Sequence, residues 1–347
     1  GDINISGTGI YNPAGTADAQ ITAGDFLYSS GGTSTIAGDI TLSGADGDVS
    51  FSTGSSTMTG ALTLNGADGD VTVSGGTLTM TGAMTLAGST GTLTVSGGTL
   101  NGTGAVDVGE DVVLSSGTFL GTGRTVNLSG DWNETAAVFI DTTGTVTMDG
   151  TAVTIDTNDD ANDFYNLIIS GTVTQNTGVT VTGTLTVSSG SLTTGANSLA
   201  ATSIVSTTSL DASSQTGTES VTVSGNITGA GTVTGGAGDI DVDGDVSVTN
   251  LTASSGTTYI GGDFSSALTH NSGTIELDTG AATISNSGDY NNLTISAGAK
   301  SLTVSAVVRN NLILSGGNLT ALGASLDVTT VGGNFTINSG ASTYSGA

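Results

Sequence analysis

The feature that most constrains the fold is a stretch of 22 residues that occurs twice in succession. The segment GADGDVSFSTGSSTMTGALTLN (residues 44–65) is followed at once by GADGDVTVSGGTLTMTGAMTLA (residues 66–87). Internal periods of about 20–50 residues are typical of stacked repeat architectures, in which one repeat cannot bury its apolar side alone. We therefore expect coils that stack along a common core.

Within each copy, apolar and polar residues alternate. Val49 aligns with Val71, and Leu62 aligns with Met84, with polar residues between the apolar ones. Alternation with a period of two indicates strands that bury one face. Short runs such as DVTV, TLTM and AMTL are separated by glycine turns. The pattern predicts an all-β chain: a parallel β-solenoid, expected to be right-handed, with three-strand coils of about 22 residues and ~16 turns.

The chain divides into a short irregular segment and a long regular one. Residues 1–23 contain Pro13, the single proline, and are interpreted as an N-terminal cap or as an arm that docks on a neighbour by strand addition. Residues 24–347 are expected to form one continuous solenoid. A longer repeat, with an offset of about 127 residues, relates segments 129–199 and 261–326.

A shorter signature, Gly-Asp/Asn-apolar, recurs through the chain. It occurs at Gly38-Asp39-Ile40, Gly130-Asp131-Trp132, Gly262-Asp263-Phe264 and Gly333-Asn334-Phe335.

Segments such as GDWNE, GTVTMDG, NLIIS and GTLTVSSGSLTTG resemble the repeats of very large secreted prokaryotic β-solenoid proteins. These include filamentous-haemagglutinin-like adhesins and autotransporter passenger domains. The resemblance covers most of the chain from Gly24 onward. It implies an extracellular or cell-surface location and a structural or adhesive role, and it supplies no catalytic residues.

The charge balance restricts the classes of partner. The chain has 3 Lys+Arg against 30 Asp+Glu and a formal net charge of -27. Nucleic acid and anionic membrane surfaces are disfavoured, because both are bound through clustered Lys and Arg. No apolar run approaches the roughly 18 residues of a spanning helix, so membrane insertion is not expected. Cysteine is absent, so no disulfide supports the fold.

Few residues are suited to acid–base catalysis. The basic residues are Arg124, Lys300 and Arg309, and His270 lies in the turn-like context LTHNSGT. A polysaccharide-active β-helix would need a groove lined by residues 156–163 together with one of these basic groups. We therefore predict that the protein is not an enzyme.

Stacked aspartates make Ca²⁺ a candidate cofactor. Asp46 is expected over Asp68, and Asp48 over Asp70, about 5 Å apart. Such carboxylates repel one another unless a cation bridges them, and Ca²⁺ prefers oxygen ligands. Alternatively, exposed side chains splay apart and attract loosely held counterions.

Two further acidic segments are candidate cation sites. GDIDVDGDVSV (residues 238–248) starts like an EF-hand loop, but Asn250 occupies the twelfth position, so its alternation favours a strand with an outward carboxylate row. DTNDDANDF (residues 156–164) is interpreted as an insertion loop, with an ordinary Asx-rich turn as the alternative. The predicted metal ligands are Asp46, Asp48, Asp68, Asp70, Asp156, Asp159, Asp160, Asp163, Asp239, Asp241 and Asp243.

Threonine columns and aromatic residues suggest two further binding surfaces. Thr57 and Thr79 stack as in ice-binding solenoids, but Asn101 ends the column, and threonine is common on any exposed β face. Four aromatic residues could form a sugar-stacking strip but are expected to fill core corners. They are Trp132, Phe164, Tyr290 and Phe335.

These observations favour a structural subunit or segment of an extracellular or cell-surface filament. The edges of a solenoid are templates for pairing, and end-to-end stacking would use them. The expected partner is another copy of the chain, and surface glycans and host or biofilm components are further candidates. The alternative is a stalk or passenger segment of a surface adhesin. An ice-binding or polysaccharide-active β-helix is less favoured.

Overall fold

The fold consists of parallel strands stacked as a β-solenoid of about 15 turns. A computed structural model describes residues 3–7, 19–22, 24–158, 163–286, 288–321, 326–328, 334–338 and 344–345. These residues contain forty strands and no helix. Contacts divide the chain into two compact units, residues 1–177 and 178–347. The predicted fold class is confirmed.

The first unit contains strands β1 to β21, most of them three to five residues long. They are Ile3–Gly7, Ala19–Ile21, Phe26–Ser30, Thr33–Ile36, Ile40–Leu42, Val49–Phe51, Ser55–Met58, Leu62–Leu64, Val71–Val73, Thr77–Met80, Met84–Leu86, Leu93–Gly102, Val106–Val108, Val112–Leu120, Thr125–Leu128, Trp132–Glu134, Val138–Ile140, Thr145–Met148, Thr151–Asp156, Asn166–Ile169 and Thr172–Gln175.

The second unit contains strands β22 to β40, several of which are seven to nine residues long. They are Val179–Val187, Ser191–Thr193, Leu199–Ser206, Ser209–Ala212, Ser220–Val223, Ile227–Gly235, Asp239–Val242, Val246–Thr252, Thr257–Ile260, Ala267–Thr269, Thr274–Leu277, Ala282–Ile284, Asp289–Ile295, Ala299–Leu302, Ala306–Leu314, Asn318–Ala321, Leu326–Val328, Phe335–Ile337 and Tyr344–Ser345.

The duplicated sequence forms two successive coils of the first unit. Strands β6, β7 and β8 of one coil pair with β9, β10 and β11 of the next. Val49 lies in register with Val71, and Leu62 with Met84. All four side chains are buried. The apolar columns predicted from the repeat are therefore confirmed.

Burial alternates along the strands and places the core between the strand stacks. In β10 and β18, the second and fourth residues are buried and the other two are half-buried. Burying a Val, Leu, Ile or Met side chain stabilises the fold by about 1.5–3 kcal/mol. A single coil contributes too few of these side chains to be stable alone. Stability therefore depends on the stacking of neighbouring coils.

The acidic segment at residues 238–248 is a strand, as its alternation predicts. Strand β28 (Asp239–Val242) pairs with β26 and β30, and its Ile240 and Val242 are buried. The assignment of residues 1–23 as a cap or docking arm stays a prediction. That segment holds β1 and β2, which pair with β3 and β5.

Candidate functional site

Carboxylates at the corner before a strand connect successive coils. In the first unit, Asp25 Oδ1 accepts the backbone N–H of Asp48 at 3.1 Å. Asp48 Oδ1 accepts the N–H of Asp70 at 3.0 Å, and Asp70 Oδ1 accepts that of Thr92 at 2.8 Å. Each acceptor immediately precedes a buried strand residue. We call such a series of side-chain acceptors an Asx ladder.

The same arrangement recurs further along the chain. Asp111 accepts the N–H of Asp131, which accepts that of Thr154. In the second unit, Asn226, Asp245 and Asp263 accept the N–H groups of Asp245, Asp263 and Thr283. The residues joined are 22 apart at Asp48–Asp70, 20 apart at Asp111–Asp131 and 18 apart at Asp245–Asp263. The Asx ladder therefore persists while the coil length changes.

The glycine of the Gly-Asp-apolar signature makes room for the ladder. A Cβ on Gly130 would overlap the carboxylate of Asp111 and the backbone of Glu110. A Cβ on Gly262 would overlap the carboxylate of Asp245. Glycine therefore lets the acceptor of one coil reach the N–H that follows in the next. This close approach explains why glycine recurs in the Gly-Asp-apolar signature, for which the sequence alone gave no structural reason.

Stacking of carboxylates affects their protonation. The pKa of Asp48 is raised, mainly by burial and then by the charges of Asp70, Asp25 and Asp68, although the N–H of Asp70 lowers it. Burial also raises the pKa of Glu110, and nearby aspartates add to the effect. The ladder is therefore a region of like charge that is partly offset by backbone N–H dipoles.

The four aspartates of the duplicated segment have two different environments. Asp46 and Asp68 are exposed in turns, whereas Asp48 and Asp70 are half-buried members of the Asx ladder. Ca²⁺ binds about 6–8 oxygen ligands. With one oxygen of Asp48 and one of Asp70 already accepting N–H groups, these residues do not by themselves form a calcium cage.

The acids of β28 are likewise divided. Asp239 Oδ1 accepts the N–H of Thr257 at 2.8 Å. Asp241 is half-buried, and its pKa is raised by burial and by the charges of Asp243, Asp278 and Asp239. Asp243 is exposed after the strand ends. Asp239, Asp241 and Asp243 therefore form an acidic strip, in which Asp239 contacts the following coil through Thr257.

The segment predicted as an insertion loop is only partly described. Asp156 is the last residue of β19 and is half-buried, and Asp163 is buried. Asp159 and Asp160 lie outside the described residues. Within the part of the chain that the structure describes, no three or more His, Cys, Asp or Glu side chains form a group that could hold a metal ion. Calcium binding stays a prediction.

Two of the three basic side chains are buried, which sequence analysis missed. Arg124 donates from Nε to Gly102 O at 2.8 Å, and from Nη2 to Asn101 O at 2.7 Å and Met80 O at 3.2 Å. Burial lowers its pKa to about 10. Lys300 Nζ donates to two carbonyls, at 2.9 and 2.8 Å. Both residues therefore join coils through backbone oxygens.

The remaining candidate groups for chemistry are exposed or half-exposed. Arg309 forms an ion pair with Asp289, and both side chains are about half exposed. His270 Nδ1 accepts the N–H of Ser272 at 3.4 Å, in the turn after β31. Thr57 pairs with Thr79, and Thr79 with Asn101, so the threonine column ends as predicted.

Three of the four aromatic residues lie in the core. Trp132 contacts Phe139 and Phe164, with ring centroids 4.8 and 5.2 Å apart. Tyr290 is buried and donates to Asn286 Oδ1 at 2.6 Å. The prediction of core positions was wrong for Phe335, which is 51% exposed.

Together, the stacked coils, apolar columns and Asx ladders define a β-solenoid repeat protein. No protein family, curated protein or solved structure matches the chain. No helix in the described residues has the length and hydrophobicity to cross a membrane.

Proposed function

We propose that this chain is a structural element of an extracellular or cell-surface filament, in which copies add end to end through coil edges. The observation that carries the proposal is the exposure of Phe335 (51%) and Ile337 (48%) in β39. They lie in register with Leu312 and Leu314, which are buried in the core. Two apolar columns of the core thus continue into β39, where their side chains are about half exposed.

An added coil would cover these side chains and continue the hydrogen bonding. Covering large apolar side chains contributes up to about 1.5–3 kcal/mol each. Asn334 N–H donates to Asn311 Oδ1 at 3.0 Å, so the Asx ladder also reaches this coil. The side chain of Asn334 is exposed, and in an added coil it would accept an N–H as Asn311 does here. A second copy would extend both the core and the ladder by parallel strand addition.

The extracellular location is supported by composition and by the resemblance to secreted solenoid repeats. The chain has a formal net charge of -27. A strongly acidic surface keeps long assemblies dispersed and attracts divalent cations. Calcium would then act as a counterion along the filament. Its removal with a chelator is expected to weaken association.

The test is electron microscopy and analytical ultracentrifugation of the purified chain over a range of concentrations, with calcium and with chelator. We expect fibres or growing oligomers for the unmodified chain and monomers for the double variant Phe335→Asp/Ile337→Asp. The matched control is Thr336→Asp, which adds a charge between these residues at a half-exposed position. Circular dichroism establishes whether each variant is folded.

Two outcomes would overturn the proposal. The first is a chain that stays monomeric at high concentration with calcium. The second is assembly that the double variant leaves unchanged. Isolated rods under all conditions would favour the adhesin stalk instead, in which the same columns continue into a longer chain.

A further inference from the structure

The chain contains two Asn-Gly dipeptides, Asn65-Gly66 and Asn101-Gly102. In such a pair, the backbone nitrogen of glycine can attack the amide carbon of the asparagine side chain. Glycine has no side chain to hinder ring closure. The local geometry then decides whether a folded protein permits the reaction. The two dipeptides differ in this respect.

At Asn101-Gly102 the reacting groups are already close. Gly102 N lies 2.6 Å from Asn101 Oδ1. The amide carbon is one C=O bond further at most, so it lies within about 3.8 Å of the nitrogen. Attack takes place from about 3–3.5 Å, so even at this upper bound a shift of a few tenths of an ångström brings the atoms into range. The dipeptide ends β12 and is half-buried, so water can reach it.

A buried cation contacts the peptide group that must react. Arg124 Nη2 donates to Asn101 O at 2.7 Å, and Nε donates to Gly102 O at 2.8 Å. The carbonyl of Asn101 belongs to the same peptide bond as Gly102 N. When that nitrogen loses its proton, negative charge moves onto the carbonyl oxygen. A charged donor held there stabilises this anion.

We propose that Asn101-Gly102 is a site of spontaneous self-modification that Arg124 promotes. Water or hydroxide takes the proton from Gly102 N, and the nitrogen forms a bond to the side-chain amide carbon of Asn101. The bond from that carbon to Nδ2 breaks, and nitrogen leaves as ammonia with the proton returned from solvent. Water then opens the succinimide at either carbonyl and gives aspartate or isoaspartate. No oxidant or reductant is needed.

The modification changes the contacts of Arg124. Its Nη1 is buried and has no hydrogen-bond partner among the described residues. A carboxylate at position 101 would give the guanidinium a counter-charge at this corner. Isoaspartate would add one backbone carbon where Asn101 pairs with Thr79. The two products therefore have different effects. Aspartate adds a counter-charge for Arg124, whereas isoaspartate disturbs the register of the strand.

Asn65-Gly66 is the internal control. Arg124 is the only Lys or Arg in residues 1–177. All of the described hydrogen bonds of its side chain go to the backbone oxygens of Met80, Asn101 and Gly102. Asn65 is exposed and Gly66 is buried, whereas Asn101 and Gly102 are both half-buried. Faster reaction at Asn101 than at Asn65 in the folded chain therefore reports the effect of the local environment, and the Arg124 variants separate charge from water access.

The experiment incubates the full chain in ¹⁸O-water and follows both sites by mass spectrometry of peptides cut at apolar residues. Isoaspartate is quantified by enzymatic methylation. We expect Asn101 to react faster than Asn65 in the folded chain and at a similar rate in denaturant. Arg124→Gln keeps amide donors but removes the charge, and it should slow the reaction at Asn101 at least about tenfold.

Arg124→Lys tests charge without the planar guanidinium, and a retained rate would also support the role of charge. The ratio of the rates at Asn101 and Asn65 within each sample reports whether a variant has lost its fold, because the two rates become similar in an unfolded chain. Equal or slower reaction at Asn101 than at Asn65 in the folded chain would overturn the proposal. So would an unchanged or faster rate at Asn101 in folded Arg124→Gln.

Discussion

The side-chain oxygen Oδ1 of Asp111 accepts the backbone N–H of Asp131 at 2.7 Å, and Asp131 repeats this contact with Thr154 at 2.6 Å. Asp131 thus donates its backbone N–H to the preceding coil and accepts an N–H from the following coil with its side chain. Because a buried N–H without a partner is costly, each such bond specifies where the next coil begins. The Asx ladder therefore fixes the register of stacking at the corners, where strand pairing is interrupted.

Replacing Asp131 should separate the hydrogen bond from the charge. Asp131→Ala removes the acceptor for Thr154 N–H and should lower the free energy of unfolding by about 1–2 kcal/mol. Asp131→Asn keeps an acceptor oxygen and removes a charge, so we expect little loss. Asn226 and Asn311 already fill this role. Chemical denaturation of the two variants measures the difference, and equal loss in both would show that charge is what matters.

Substituting the signature glycine should disrupt the ladder by overlap. Gly130→Ala places a Cβ against the Asp111 carboxylate and the Glu110 backbone and should cost about 1–3 kcal/mol. Gly31→Ala is the control, because no atom lies within 4 Å of its Cβ position. It should be neutral or slightly stabilising, since alanine restricts the unfolded chain. Thermal denaturation with similar midpoints for both variants would contradict the prediction.

Mild acidification should stabilise the protein. Burial, followed by neighbouring carboxylates, raises the pKa of Asp48 and Asp241 above the ordinary value of 3.8. The folded state then binds protons at a higher pH than the unfolded state. The free energy of unfolding therefore rises as pH falls through the raised values and stops rising once pH is below about 3.8. Denaturation midpoints measured from neutral to acid pH test this.

Stronger acid should reverse the gain. Hydrogen bonds, led by the N–H of Thr216, lower the pKa of Glu219 to about 2 from an ordinary 4.5. Its contribution is fully present above the ordinary value and is lost as pH falls through the lower one. The profile should thus have a maximum in mild acid, and Asp48→Asn should flatten the rise between neutral pH and that maximum. A steady loss of stability from neutral pH downward would be the contrary result.

The sequence predicted the core well because its signals are periodic. Val49 and Val71 share a column since identical spacing places them on the same strand of successive coils. The hydrogen bonds of the aspartates were not predictable in the same way. The charge of Asp70 acts on Asp48 as expected, but the carboxylate of Asp48 also accepts the N–H of Asp70, which was not foreseen. That contact depends on how closely two corners approach, which alternation does not encode.

The buried basic residues were likewise only partly predictable from the sequence. Lys300 was detectable in principle, because it occupies an apolar column between Ala282 and Leu319. Arg124 gave no such signal. It follows a turn at Gly123, which has a φ of 71°, and its side chain reaches the carbonyl of Met80, 44 residues earlier. The conformation of the corner therefore decides where a long side chain lies. The sequence of a glycine-rich corner does not specify that conformation.

Lys300 should be replaceable by an apolar side chain of similar length. Its Nζ donates to Thr279 O and Gly280 O, whose residues are exposed, so water can replace the ammonium there. Burial lowers the pKa of Lys300, although Asp278 and Asp263 oppose this. We expect Lys300→Met to remain within about 1 kcal/mol of the unmodified chain, because a buried charge contributes little net stability.

Lys300→Ala should instead cost about 2–4 kcal/mol, because it empties the column between Ala282 and Leu319. The pH dependence distinguishes packing from charge. With a lowered pKa in the folded state, the unmodified chain should gain stability as pH rises through that value, and Lys300→Met should lack this gain. Unfolding curves for the three chains at neutral and alkaline pH would decide. A methionine variant as unstable as the alanine variant would show that the ammonium contacts, and not the filled column, hold this corner.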